Sequence, residues 1–336
     1  MALSTTPSEN FTVVPPETHD SSSLRVVLIV IGLFLSVLSL YVVVALIVHR
    51  CRLAKRKKKL ELTKRQSQRK STKRKEGSSP ALDYLSLASA VLAFLNCSSE
   101  HTVFYTKYTS NVACKVMQSF SFLFYAAGIA CLYSFLWKRQ RACYNSPTLS
   151  QMHSKFLRII SAAILPVFLV MMVAGICLTG VLWEFETSEH GCMETSSTRT
   201  PLVVLFTGSL AMQLTLLGLF VYPLKRHTIF QRAAPMITDK ILTALVKRSI
   251  YTTGLCVTCD AVTFIIAVAL PITTPFIVTN FLYDGNLLCN VLCVVGSFAD
   301  WRQRMAPWCT KDRSLCDRRL QSPNFSSSMK TNTTAV

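Results

Sequence analysis

Val26-Val-Leu-Ile-Val-Ile-Gly-Leu-Phe-Leu-Ser-Val-Leu-Ser-Leu-Tyr-Val-Val-Val-Ala-Leu-Ile-Val48 is a run of 23 residues without a single charge. As a helix it rises about 34 Å, enough to cross the roughly 30 Å hydrocarbon core of a bilayer. His49-Arg50-Cys51-Arg52 follows at once, and then Lys55-Arg-Lys-Lys-Lys59. An apolar run that ends on clustered Lys and Arg reads as a spanning helix whose basic end is cytoplasmic. Six further runs have the same character: 81–97, 112–136, 157–183, 200–222, 249–270 and 275–298. The second is the shortest. Together the seven make up nearly half of the chain.

Composition agrees. Of 336 residues, 51% are hydrophobic and 16% charged, and Lys plus Arg outnumber Asp plus Glu by 36 to 17. Ordinary soluble domains carry about 25% charged residues. A soluble nucleic-acid binder can reach a net charge of +19, but not with this apolar content. The composition therefore excludes nucleic acid as a partner, together with a soluble enzyme, a disordered chain and a secreted disulfide scaffold. It points to an all-α, multi-pass membrane bundle with its cations in loops.

The positions of those cations orient the bundle. Residues 49–80 hold 14 Lys and Arg, 138–158 hold five, 223–248 hold six and 299–336 hold seven, leaving only Arg25, Lys107, Lys115 and Arg199 for the other side. The positive-inside rule puts the N-terminus outside and the C-terminus in the cytoplasm, as seven crossings require. The chain then divides into an outer tail (1–25), a seven-helix membrane domain (26–298) with a basic cytoplasmic loop (49–80), and a cytoplasmic tail (299–336). Residues 1–24 lack the charged and apolar regions of a cleavable signal peptide, so the first span is expected to direct its own insertion. The sequons at Asn10 and Asn96 fall on the outer side and are expected to be glycosylated, whereas those at Asn324 and Asn332 face the cytosol. The expected location is the plasma membrane.

Little in the spans suggests catalysis. The six histidines lie in loops or at membrane edges, so no His–Asp cluster is available to hold a metal and no Ser–His pair to act as a nucleophile. A glycine-rich phosphate loop is absent too. The chain is expected not to be an enzyme and to use neither a metal nor a cofactor. The polar signals that remain are Asp260 and Asp284, each near the middle of its run. A carboxylate at that depth is costly, so both should face the bundle interior. Asn280, Asn286 and Asn290 are placed to hydrogen-bond them, and Gln118, Ser119, Tyr125 and Gln213 to line the same space. Two readings stand: a cation, ligand or proton site, and interhelical hydrogen bonding that only fixes packing. Cys131, Cys177, Cys256, Cys259, Cys289 and Cys293 read as small apolar packing residues.

Cys114 begins the third run, Cys192 lies in the outer loop 184–199, and Arg139 follows Cys114 by 25 residues, about 37 Å along a helix. This arrangement resembles the rhodopsin-like (class A) G-protein-coupled receptors. That family has a Cys at the top of helix 3, a partner Cys in the second outer loop and Asp-Arg-Tyr at the base of helix 3. Here the triplet is Lys138-Arg139-Gln140. Leu87-Ala-Ser-Ala90 is similar to the family's Leu-Ala-x-Ala-Asp, with Val91 in place of the Asp. Asn290-Val-Leu-Cys-Val294 stands where Asn-Pro-x-x-Tyr would close helix 7, and Trp301, Arg302 and Met305 match the start of an amphipathic eighth helix. The helix 1 Asn, the early helix 4 Trp and the mid-helix prolines of helices 5 and 6 are missing, which marks a divergent branch. The resemblance implies a disulfide between Cys114 and Cys192, with Cys97 as a rival partner. It implies a G-protein-facing role for Arg139, and an orphan-like receptor that passes an unknown extracellular ligand's signal to a heterotrimeric G protein. The alternatives are a seven-helix transporter or channel working through Asp260 and Asp284, and a non-signalling membrane adaptor.

The cytoplasmic segments add partners. Residues 52–75 are too polar to fold alone, and beside a membrane their cations attract anionic lipid, at about 1 kcal/mol each. Such a loop is unusually long for the family it resembles. Cys309 and Cys316, and also Cys51, are palmitoylation candidates. The chain ends Thr333-Thr334-Ala335-Val336, where Thr334 and Val336 fit a PDZ-domain ligand that adds as a strand to a sheet edge.

Overall fold

The computed structural model describes residues 20–66, 80–105, 110–144, 155–182, 184–188, 191–196, 204, 207–219, 221–222, 240–270 and 276–310. Its long helices are α1 (Asp20–Gln66), α2 (Pro80–Tyr105), α3 (Asn111–Tyr144), α4 (Lys155–Leu182), α6 (Lys240–Ala269) and α7 (Phe276–Gly296). Each contains a stretch long and apolar enough to cross a membrane, from Val26–Lys59 in α1 to Val278–Gly296 in α7. The chain is thus a multi-pass, helical membrane protein. The run at 200–222 contributes α5, an apolar helix over Thr207–Leu219. Its 13 residues rise about 20 Å, less than the bilayer core.

Several elements differ from the sequence reading. Residues 50–66, expected to be loop, continue α1 without a break. The reason is local: Arg, Lys, Leu, Ala, Glu and Gln are strong helix formers, and neither Gly nor Pro interrupts them before Gly77. Helix α2 runs on to Tyr105 rather than stopping at 97. It starts at Pro80, whose missing N–H costs nothing at the first helical position, and Asp83 favours the positive end of the helix dipole. Ser110 caps α3, its Oγ accepting from the Ala113 N–H at 3.3 Å. The segment after α4 holds an antiparallel hairpin, β1 (Glu184–Ser188) and β2 (Gly191–Ser196), with Thr187 opposite Cys192. The hairpin packs on α2 and α3.

Helices α2, α3 and α7 form the centre of the bundle, with α1, α4 and α6 packed around them. Val42 and Leu46 of α1, Ala90 and Ala93 of α2, Leu132 and Phe135 of α3, and Leu287, Val291 and Val294 of α7 make one buried cluster. Gly128 lets α3 approach closely: a Cβ there would stand 3.3 Å from the methyls of Leu287. Tyr133 packs edge-on against Phe168 of α4 at 4.4 Å, and the Trp137 indole donates to the Ser161 carbonyl at 2.6 Å. Outside this core the large apolar residues are exposed. Val26, Val30, Phe34 and Val37 of α1 all face away from the bundle. In water such a surface would be unfavourable; against lipid tails it costs nothing.

A polar junction closes one end of the bundle. Phe298 and Ser297 lead into α8 (Trp301–Met305) and a single 3-10 turn (Pro307–Thr310). Arg304 is buried there, 2.8 Å from both Asp83 of α2 and Asp300, with its guanidinium 3.6 Å over the Phe298 ring. His49 of α1 lies 3.4 Å from Asp300, Tyr41 donates to the Met305 carbonyl at 2.6 Å, and Arg52 donates to the Pro307 carbonyl. The residues singled out in the sequence behave differently: Trp301 and Arg302 are exposed and Met305 is half-buried, so Arg304 anchors the segment.

Candidate functional site

Asp260 and Asp284 are both buried, as their cost in lipid demands, but they lie in two distinct polar clusters. The first joins α2 to α7. Asn96 donates to Asp284 Oδ1 at 2.5 Å, and Asn280 donates to Glu100 Oε2 at 2.5 Å. The two rows match because Asn96 and Glu100, like Asn280 and Asp284, are four residues apart on their helices and so share a face. Ser99 shares a 2.6 Å hydrogen bond with Ser121 of α3 beside them. Glu100 is a buried carboxylate that the sequence reading missed, because that reading ended α2 at residue 97.

The same geometry corrects the glycosylation reading at Asn96. The residue is 3% exposed, bonded to Asp284, and nine residues short of the end of α2. That is about 14 Å inside the helix. An oligosaccharide cannot be attached to a side chain that sits between two helices.

The second cluster joins α3, α5, α6 and α7. Asn290 donates to Asp260 Oδ1 at 2.6 Å, and the Tyr133 hydroxyl reaches Asp260 Oδ2 at 3.4 Å. Tyr133 also shares a 2.7 Å hydrogen bond with Ser209 and accepts one from Gln213. Asn290 makes a second, long contact with Asn286 at 3.4 Å. A cavity about the size of one water molecule opens among Tyr133, Gln213, Asp260 and Asn290. Tyr125 lies between the two clusters, against Tyr283 at 5.7 Å. Of the other expected cavity residues, Gln118 is buried, whereas Ser119 is exposed and bonded to its own helix at the Lys115 carbonyl.

Arg139 does not project from the base of α3. It is buried and donates to the Ser297 carbonyl at 3.0 Å, tying α3 to the end of α7. Helix α3 continues five residues beyond it. In this conformation Arg139 is an interhelical tie. Cys114 is fully buried and disulfide-bonded, while Cys97, its rival in the pairing, is a free thiol. Cys259 and Cys289 bring their sulfurs to 3.0 Å between α6 and α7. Cys51 is exposed. Among the described residues no group of three or more His, Cys, Asp or Glu could hold a metal ion. Asn10, Cys316, Thr334 and Val336 lie outside the described residues, as does the side chain of Cys309.

No protein-family model matches this chain, and no curated protein matches it significantly.

Proposed function

We propose that this chain is a divergent seven-helix receptor of the rhodopsin-like kind, with its N-terminus outside the cell and its α8 end facing a G protein. The observation that carries this reading is the pairing of features at the two ends of α3. At one end Cys114 is disulfide-bonded and the hairpin bearing Cys192 packs against the helix. At the other, Arg139 is held by α7. The hairpin that bears Cys192 packs against α3, and in this reading Cys192 is the partner of Cys114. In this reading α5 is the seventh crossing, an outer ligand acts through the hairpin-covered mouth, and release of Arg139 from Ser297 opens the cytoplasmic face. The basic continuation of α1 contacts anionic lipid, and Thr334 and Val336 engage a PDZ domain. The plasma membrane is where such a receptor would act.

The test is agonist-independent nucleotide exchange on heterotrimeric G proteins in cells expressing the full chain. Wild type should raise exchange above background, and Arg139→Ala at equal surface level should change it. Equal exchange from wild type, variant and empty cells across all G-protein classes would refute the receptor reading. The two buried carboxylate clusters favour a second reading, transport of protons or cations. Ion-driven flux in proteoliposomes would support it.

A further inference from the structure

Four thiols form a row along the seam between α6 and α7. The sulfurs of Cys259 and Cys289 lie 3.0 Å apart, Cys289 is also hydrogen-bonded to Cys293, and Cys293 to Cys256. All four are free thiols, and Cys259, Cys289 and Cys293 are only half-buried. Leu255, Thr258, Cys259 and Val262 follow the i, i+3, i+4, i+7 spacing of one helix face, and Leu255, Thr258 and Val262 are exposed. The outward face of a spanning helix meets acyl chains rather than water, so the seam opens on hydrocarbon. One residue further along each helix, Asp260 and Asn290 make the parallel link on the interior side.

We propose that Cys259 and Cys289 are a redox modification site, which peroxyl radicals of oxidised membrane lipids convert into a disulfide stapling α6 to α7. A disulfide holds its sulfurs about 2.05 Å apart, so the pair must close by about 1 Å. The thiolate is the usual reactive form of cysteine, but a peroxyl radical removes a hydrogen atom from the neutral thiol and requires no base. It also forms within the bilayer, where the seam opens. One radical takes the hydrogen of the first thiol and becomes a lipid hydroperoxide, leaving a thiyl radical. A second radical takes the hydrogen of the other thiol in the same way. The two unpaired electrons, on adjacent sulfurs, then form the S–S bond. Two thiols and two peroxyl radicals give one disulfide and two hydroperoxides: the sulfurs are oxidised and the radicals reduced. The bond joins positions 30 residues apart, so it restricts the unfolded chain and holds α6 and α7 together beside the Asp260–Asn290 link. The site does not depend on whether the chain signals.

Purified full-length protein in nanodiscs of polyunsaturated phosphatidylcholine provides the test. Peroxidation is started with a lipid-soluble azo initiator, and disulfide-linked peptides are read by mass spectrometry without reduction. Wild type should yield a peptide pair joined through Cys259 and Cys289, which a reductant separates. Its thermal midpoint should rise on oxidation and fall back on reduction. A phenolic chain-breaking antioxidant in the bilayer should suppress both changes. Cys289→Ala should lose the rise in midpoint, whereas Cys177→Ala, at an exposed thiol of α4, should match wild type. Absence of the Cys259–Cys289 pair from wild type while lipid hydroperoxides accumulate would overturn the site. So would a pair joined through Cys293 in its place, or an equal yield with the antioxidant present. If Cys289→Ala does not fold, wild type before and after reduction serves as its own control. A midpoint that ignores formation and cleavage of the linked pair would then refute the staple.

Discussion

Arg304 shows how one side chain secures an element too short to hold itself. A five-residue helix has no intrinsic stability, yet α8 is fixed because Arg304 reaches two carboxylates at 2.8 Å and covers an aromatic ring. Removing one partner of a buried ion pair strands the other, typically at a cost of 3–5 kcal/mol. Arg304→Ala should therefore destabilise the protein by about 3 kcal/mol in chemical denaturation. The double variant Arg304→Met with Asp83→Leu should lie closer to wild type, since it leaves no isolated charge at Asp83. A double variant at least as unstable as Arg304→Ala would refute this account. Asn96 makes a second case. Its sequon is intact in the sequence, but its amide is spent on Asp284. If the N-terminal tail is outside, a glycosidase should remove at most one glycan, and Asn10→Gln should abolish the mobility shift completely. A residual shift in that variant would mean that Asn96 is reachable after all.

At the scale of elements, hydropathy located the helices and misplaced their ends, for a definite reason. Apolar runs stop where the lipid stops, whereas helices stop where hydrogen bonding and propensity let them. Lys55 to Lys59 leave the hydropathy profile but remain good helix formers, so α1 continues. Glu100 and His101 lower the average in the same way, which hid the last two turns of α2 and with them the carboxylate opposite Asn280. The matched four-residue spacing of Asn96–Glu100 and Asn280–Asp284 was present in the sequence, but only the fold pairs the two rows. Asp260 and its link to Asn290 were legible, because a carboxylate in an apolar run must find a partner on a neighbouring helix. The Gln213 contact with the Tyr133 hydroxyl was not, since it depends on where Tyr133 lies. The hairpin escaped because its strands are short and not apolar. The docking of α8 on α1 has a pH signature. Burial pushes the Asp300 carboxyl upward, but hydrogen bonds from His49 and Arg304 and the Arg304 charge outweigh it and hold the group below the usual carboxylate range. A group depressed in the folded state contributes stability above its unfolded value, near 4, and that contribution is lost as pH falls toward its folded value. Wild type should therefore lose stability on acidification below about pH 4 more steeply than Asp300→Asn. Parallel pH profiles for the two proteins would contradict this.

For the molecule as a whole, everything about sidedness turns on α5. Six helices are long and apolar enough to cross, and α5 is described over only 13 residues. If α5 did not cross, the connection from α4 to α6 would remain on the outer side and take the six Lys and Arg of 223–248 with it. The tail after α7, with seven more, would also end outside. That arrangement would break the positive-inside rule at two of its four basic segments. If α5 crosses within the apolar run 200–222, all four basic segments share one side and only Arg25, Lys107, Lys115 and Arg199 oppose them. The 23 residues of that run are long enough, about 34 Å as a helix. Seven crossings put the two termini on opposite faces, and six would put them on the same face. An N-terminal epitope tag should therefore be stained on intact cells and a C-terminal tag only after permeabilisation. Staining of both tags on intact cells, or of neither, would mean that α5 does not cross, and would remove the topological basis of the receptor reading.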